Sequence, residues 1–384
     1  MNFNTRIVIF CIITLFFHFN TTAKDIYVNN LTGQNTNSGD EPFNLIHRSG
    51  PVRTISFALR MAEQGDRIVL ANNPGHPYQE TISLFGVQHS GDFEGPFTIE
   101  GCGAVLDGSL PISSDLWAYV NQSTFRLRPS NSTHFALFLD GKPLPRVTVP
   151  KSPLTLPELK PFEWCIFDQF VYIALEERKQ PADYNLSCTE KITGITLTHV
   201  NHVQINDLAI QGYQIDGISA RNMVDNLILD NISIRGNGRH GFMAGKFSQS
   251  KIGFSRIGDN GSAQLLIDEQ AKVTSFQSVI DDRISPQVTN LGGTWIEYEN
   301  SNSPEIIALE QLWDPIVVVA KLGDEKEQQA PTPPIKDNAT VNLPQEDINE
   351  NDTETEINYA IDDADIEIEE PAAETQESDD PFAF

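Results

Sequence analysis

Two stretches of the chain coincide when written one under the other. "HVQINDLAIQG" carries apolar residues at Val203, Ile205, Leu208 and Ile210, and "NLILDNISIRG" carries them at Leu227, Leu229, Ile232 and Ile234, a constant shift of 24. "KIGFSRIGDNG" continues the series with Ile252, Phe254 and Ile257 at a shift of 25, and "VTSFQSVID" with Phe276 and Val279 at a shift of 22. A second apolar patch follows each of the first three copies: "DGISA" at 216–220, "HGFMA" at 240–244 and "AQLLI" at 263–267. A period of this length marks a solenoid, in which each repeat buries its apolar row only against its neighbours.

The kind of solenoid follows from what each repeat can hold. Leucine-rich repeats share the period, but they need a Leu-rich frame with a helical half, and no half-repeat here has room for a helix. Apolar runs of two or three residues separated by Asn, Asp and Gly read instead as short strands joined by corners. The expected fold is all-β: a parallel β-helix. Strands stack ~4.8 Å apart, so residues one period apart lie directly over one another. An amphipathic pattern at residues 52–63 predicts an N-terminal capping helix. From 113 to 190 the rhythm breaks into hairpin patterns such as "ALFLDGKPLPRV", with its Asp140-Gly141 turn, and predicts a small antiparallel β insert.

These patterns divide the chain into a signal peptide (1–23), an N-terminal cap with the first coils (24–112), the insert (113–190), further coils with a C-terminal cap (191–323) and a tail (324–384). The opening combines Arg6, an apolar run from Ile7 to Phe19, and Thr21-Thr22-Ala23. It has the layout of a cleaved secretory signal, and the run of 13 is shorter than the ~20 residues a membrane span needs. Export to the periplasm, cell surface or medium is therefore expected, with no transmembrane span in the mature chain. The tail holds 20 acidic and two basic residues, which leaves −9 of the total charge of −27 for residues 1–323. Rich in Pro, Glu, Asp, Gln and Asn, it is expected to be disordered and acidic. This balance, without a basic stripe, gives no support to nucleic-acid binding. Cys11 would leave with the signal, and Cys102, Cys165 and Cys188 have neither the spacing of a zinc site nor an even number.

"DIYVNNLTGQNTNSGD", "GPVRTISFALRMAEQGDRIVLA", "PFTIEGCGAVLDGS" and the repeats from 195 to 281 resemble the secreted right-handed parallel β-helix proteins of the pectate-lyase-like superfamily. "LFLDGKPLPRV" and "WCIFDQFVYIAL" are similar to the β-rich insertion of several bacterial β-helix glycosidases. The resemblance implies a right-handed sense for the β-helix and a carbohydrate-active protein, a polysaccharide lyase or glycoside hydrolase acting on an acidic or decorated polysaccharide. The same superfamily also holds non-catalytic glycan-binding and structural surface proteins, which is the alternative. "QIDGIS" is similar to the "NTDGID" of polygalacturonases, but one coil later "GNGRHG" stands where their paired aspartates would be, and the "RxPxxR" stretch of pectate lyases is missing.

Position arithmetic supplies candidate site residues. Asp216 and His240 are one period apart, so they should stack on one face, where a carboxylate can fix the tautomer of an imidazole for acid/base work. Arg239 adjoins His240, and Lys246 lies one period from Asn222, completing the candidate catalytic set. The alternative is that these four are solvated turn residues. Asp281 and Asp282 are candidate calcium ligands, although neighbours on a strand point to opposite faces. Asn206 over Asp230 and Asp207 over Asn231 read as structural corner ladders. Oligomeric state is not written in the sequence.

Overall fold

The computed structural model describes residues 23–298 except 46–47, 93–94, 130–133 and 150–154. The expectations for the signal and the tail therefore fall outside the described residues. Among the described residues no helix is long and apolar enough to cross a membrane.

The chain winds as a parallel β-helix with three strand-bearing faces. The first face stacks Asp25–Val28, Arg67–Leu70, the start of Phe97–Asp107, the start of Asn201–Gln211, then Asp225–Asp230, Gln249–Gly253, Lys272–Phe276 and Thr294–Tyr298. The second continues each long strand past a kink, pairing Leu208–Gln211 with Ala104–Asp107 below and Ser233–Arg235 above, followed by Arg256–Gly258 and Val279–Ile280. The third stacks Ile82–Phe85, Ile195–Thr198, Asp216–Asn222, His240–Ala244, Ala263–Ile267 and Val288–Asn290. All these pairings are parallel, and the inward rows, such as Ile210, Ile234 and Ile257, are fully buried.

The register confirms the shift of 24 between the first two copies, with Val203 on Leu227 and Ile210 on Ile234. It corrects the next two. Leu229 pairs with Ile252 and Ile234 with Ile257, then Ile252 with Ser275 and Ile257 with Ile280, so both shifts are 23. The expected 25 is two residues too long, so Phe254 falls past the inward row at the corner, and the expected 22 is one too short, so Phe276 faces outward beside the inward Ser275. Phe254 is half-buried at a corner and Phe276 is 44% exposed.

Two local features make the stack work. The corner between the first and second faces needs a left-handed residue in every coil, and Asp207, Asn231, Phe254 and Gln277 take φ values of 48°, 50°, 46° and 44°. Asn and Asp tolerate that region, whereas Phe and Gln are strained in it. At the corner between the second and third faces a buried amide ladder replaces apolar packing. The Tyr213 N–H donates to Asn237 Oδ1 (3.1 Å), and the Asn237 N–H and Nδ2 both donate to Asn260 Oδ1 (3.0 Å each). Asn260 Nδ2 in turn donates to Gly258 O and Gln264 Oε1.

The N-terminal end is covered by a helix at Ile55–Met61, shorter than expected. Val52 is still bridged to Val28, so the chain cannot turn helical before Thr54, whose side chain accepts from the Phe57 N–H as the N-cap. Glu80 accepts from the Ile55 and Ser56 N–H groups, and Ile55, Ala58 and Leu59 bury against the first coil. An antiparallel insert leaves the solenoid after Asp107. It comprises one sheet of four strands, Ala118–Asn121, Thr124–Leu127, Phe170–Ala174 and Trp164–Phe167, and another built on Leu186–Thr189, with a separate core around Trp164, Phe138 and Ile173. Its hairpins turn at Asp140-Gly141 and Asp168-Gln169, each with both residues at positive φ. Cys102, Cys165 and Cys188 are free thiols.

Replacing Asn260 by Ala strips partners from the Asn237 amides and from Gly258 O at a fully buried corner. Asn260→Ala should lower stability by about 3 kcal/mol, read as an earlier urea midpoint with an unchanged slope.

Candidate functional site

Asp216 and His240 begin adjacent strands of the third face and are direct register partners. The imidazole Nδ1 lies 3.0 Å from Asp216 Oδ1, so in the neutral ring Nδ1–H donates to the carboxylate and Nε2 is the basic nitrogen. Arg239 clasps the same carboxylate from the preceding corner, Nε donating to Oδ1 (3.1 Å) and Nη2 to Oδ2 (2.7 Å). Asp216 is 1% exposed and His240 7%. Burial alone would raise the Asp216 carboxyl, but the hydrogen bonds from His240 and Arg239 outweigh it and hold the group below the usual carboxylate range.

A fourth member is not adjacent in sequence or period. His134, on the insert, faces this cluster, and its backbone carbonyl packs so close to Gly238 that a Cβ there would come within 2.5 Å. Burial, then the proximity of Arg239 and His240, holds the His134 imidazole below its usual value. Its Nδ1 is buried without a hydrogen-bond partner. The cluster thus sits where the insert lands on the solenoid, which no spacing rule reveals.

The remaining candidates are not brought together with it. Lys246 follows the far end of the strand His240–Ala244, exposed and paired to Glu269 at 3.5 Å. Asp281 is engaged by Arg283 Nε (2.6 Å) and Arg256 Nη2 (3.7 Å), while Asp282 is exposed beside it. Two guanidinium partners already neutralise the Asp281 carboxylate, and among the described residues no group of three or more His, Cys, Asp or Glu could hold a metal. The expected calcium ligands do not fit a calcium site.

A large concavity lies elsewhere, on the second face. A groove of about 1120 Å³ is walled on one side by Asn72 to Pro77 and on the other by the insert at Asp140, Lys142 and Asn185. Val105, Ala209 and Ser233, in register one above another, form a floor of small side chains. Beside them runs a polar ladder. Gln211 Nε2 donates to Asp107 Oδ2 and to Gly141 O (2.8 Å each), and Arg235 Nε donates to Gln211 Oε1 (3.1 Å). Through Gly141 the ladder ties the insert's hairpin to the solenoid and sets the width of the groove. The ladder also dictates Gly212, because a Cβ at its φ of 79° would meet Asp107 Oδ1 at 2.5 Å.

Asp207 and Asp230 stand on the groove's rim, one coil apart. Burial first, then repulsion from Glu100, pushes both carboxyls above the usual range. Asp207 is stabilised as a carboxylate by Asn231 Nδ2, which donates to Oδ1 at 3.0 Å, and by the Gly103 backbone. For Asp230, burial and Glu100 act without a comparable donor to offset them. The ladder of Asn206, Asp207, Asp230 and Asn231, expected as corner structure, also presents its two carboxylates to the groove. Its signal in the sequence is two carboxylates in an otherwise amide ladder.

No protein-family model matches the sequence, and no curated protein matches it. Among solved structures the chain is similar to one titled "Glycoside hydrolase", at 11% identity over 70% of this chain and 74% of that one, with a TM-score of 0.47. It is also similar to XylC in complex with xylose, at 11% over 71% and 70% with a TM-score of 0.36. A third is the GH136 lacto-N-biosidase from Eubacterium ramulus, at 10% over 71% and 56% with a TM-score of 0.31. At these values the likeness carries no assignment of activity.

The Asp216 clasp has a signed pH dependence. Because its folded pKa lies below the unfolded one, its stabilisation is present above the ordinary carboxylate range and lost as pH falls through the depressed value. Asp216→Ala should cost about 3 kcal/mol near neutral pH by stranding Arg239 and His240. Urea unfolding across the acid range should also show a flatter pH dependence in the variant than in wild type.

Proposed function

We propose that this parallel β-helix is an exported carbohydrate-active protein that binds a polysaccharide in the groove of its second face and hydrolyses it with the carboxyl groups of Asp230 and Asp207. The observation that carries the reading is the pair itself: two carboxyls with raised pKa, on adjacent coils, on the rim of a groove of about 1120 Å³. A carboxyl that holds its proton more tightly than usual is what glycosidic cleavage asks of its acid.

Their environments divide the roles. Asp230, without a donor to favour its anion, is the general acid and gives its proton to the glycosidic oxygen as the C–O bond breaks. Asp207, held toward the carboxylate by Asn231 and Gly103, is the general base. It takes a proton from the water whose oxygen adds to the anomeric carbon. The proton count closes over a cycle, Asp207 returning its proton to solvent as Asp230 regains one.

Charge favours a neutral glycan over a polyuronate. Asp107, Asp140, Asp207 and Asp230 line the groove against Lys142 and Arg235, and Arg235 already donates to Gln211. An acidic chain would meet net repulsion. The Asp216, Arg239, His240 and His134 cluster is given the role of positioning the insert, and so the groove wall. Non-catalytic glycan binding is the second reading, favoured by the hydrogen bond that ties Asp207 to Asn231 as a corner ladder.

Purified protein is assayed on neutral and uronate-containing polysaccharides for new reducing ends and for the ultraviolet absorbance of unsaturated ends. Hydrolysis predicts the first signal without the second. Asp230→Asn should lower turnover by about 10²-fold or more, with the melting temperature kept or raised, because a carboxyl whose charged form is disfavoured by burial and by Glu100 is removed. Activity should fall as pH rises through the elevated pKa of the acid. Glycan retention with no product, unchanged in both Asp variants, would replace hydrolysis by binding alone.

A further inference from the structure

The β-ladder register threads one column along the outer surface of the first face. Glu100 pairs with Asn206, Asn206 with Asp230, Asp230 with Gly253, Gly253 with Phe276, and Phe276 with Tyr298. Each step advances ~4.8 Å along the solenoid axis, so Phe276 and Tyr298 stand roughly 10 and 14 Å beyond Asp230 in a straight line. Both rings are solvent-facing, at 44% and 56% exposure, and beside Phe276 on its strand Ser275 is buried.

The positions between Asp230 and the rings are equally suggestive. Gly253 leaves the step next to Asp230 open, and a Cβ there would come within 2.8 Å of Asp230 Oδ1. Phe254 follows in the left-handed conformation, which places its side chain on the groove wall. Its ring meets that of Phe276 edge to face, with centroids 5.7 Å apart and planes at 89°. An aromatic surface thus begins in the groove and continues out of it in the direction of the C-terminal coils. Three aromatic residues held in contact or in register are costly to leave facing water unless something apolar covers them.

We infer that Phe254, Phe276 and Tyr298 form an extended binding track for a neutral polysaccharide that runs parallel to the solenoid axis. The pyranose rings beyond the cleavage point lay their C–H faces on these aromatic rings. This rests on the reading of Asp230 as the acid at that point. The chemistry selects the ligand: the face of an aromatic ring is the negative side of its quadrupole, which attracts the weakly positive C–H face of a sugar and repels a carboxylate. It also selects the length. A short oligosaccharide fills the groove at Asp230 without reaching Phe276 or Tyr298, whereas a polymer reaches both, so the track favours long chains over short ones.

The test uses the full chain as Asp230→Asn, to hold substrate uncleaved, with and without Phe276→Ala and Tyr298→Ala together. Affinity is measured for a mixed-linkage glucan, an arabinoxylan and a galactomannan, and for oligosaccharides of graded length from each. The expected result is a loss of about tenfold or more for a bound polymer and no change for its shortest bound oligosaccharides. In the active background KM for polymer rises while kcat on short substrates stays level. A Phe276→Trp variant, which keeps a flat ring, should retain polymer binding, and unchanged melting temperatures show that the ring, not the fold, is responsible. Equal loss for short and long chains, or none for either, overturns the track while leaving the Asp230 reading standing. Length-dependent loss in a protein without turnover keeps the track and removes the catalytic assignment.

Discussion

Everything in this protein depends on parallel strand registry between successive coils. A single coil has no core of its own, since its inward row at Val203, Ile205, Leu208 and Ile210 is covered only by the rows above and below. Registry in a ladder with period two is all or nothing, because a slip of one residue exchanges inside for outside along the whole strand. The corners enforce it. The left-handed column through Asp207, Asn231, Phe254 and Gln277 and the buried amides of Asn237 and Asn260 each fix a coil's position against the next at a point where no side-chain packing could.

The same registry turns a repetitive surface into a specific one. Because residues one period apart stack, a substitution in one coil is presented beside its counterparts in the neighbouring coils. The Asp107, Gln211 and Arg235 ladder and the outward column from Glu100 to Tyr298 are continuous features for that reason. The insert breaks the translational symmetry once. It leaves at the corner after Asp107 and settles over the equivalent corners of the next coils. Phe138 lies against Gly236, His134 against Gly238, and Gly141 O receives the Gln211 amide. One wall of the groove exists only because of that landing.

Much of this was legible in the residues. The 24-residue spacing alone placed Asp216 beneath His240, and the hydrogen bond between them follows from stacking. It failed where the period changes to 23, because the apolar letters of "KIGFSRIGDNG" can be aligned two residues off, and those of "VTSFQSVID" one residue off, with a comparable hydrophobic match. Phe254 and Phe276 then read as core and are instead the outward aromatics. Asp281 and Asp282 read as paired ligands, yet the Arg256 and Arg283 that engage Asp281 come from a neighbouring coil and the same turn.

The sequence by itself determined the fold class, the capping helix, the antiparallel nature of the insert and the stacking of residues in the coils with a 24-residue repeat. These are local or periodic properties, and a pattern of apolar residues every second position with Asn, Asp or Gly at corners has few other solutions. Only the tertiary structure decided where the insert docks, and with it the groove, the nearness of His134 to Arg239 and His240, and the raised carboxyls of Asp207 and Asp230. Those depend on contacts between segments unrelated by any period, and on burial and mutual repulsion, which exist only after the coils have stacked and the insert has come down on them.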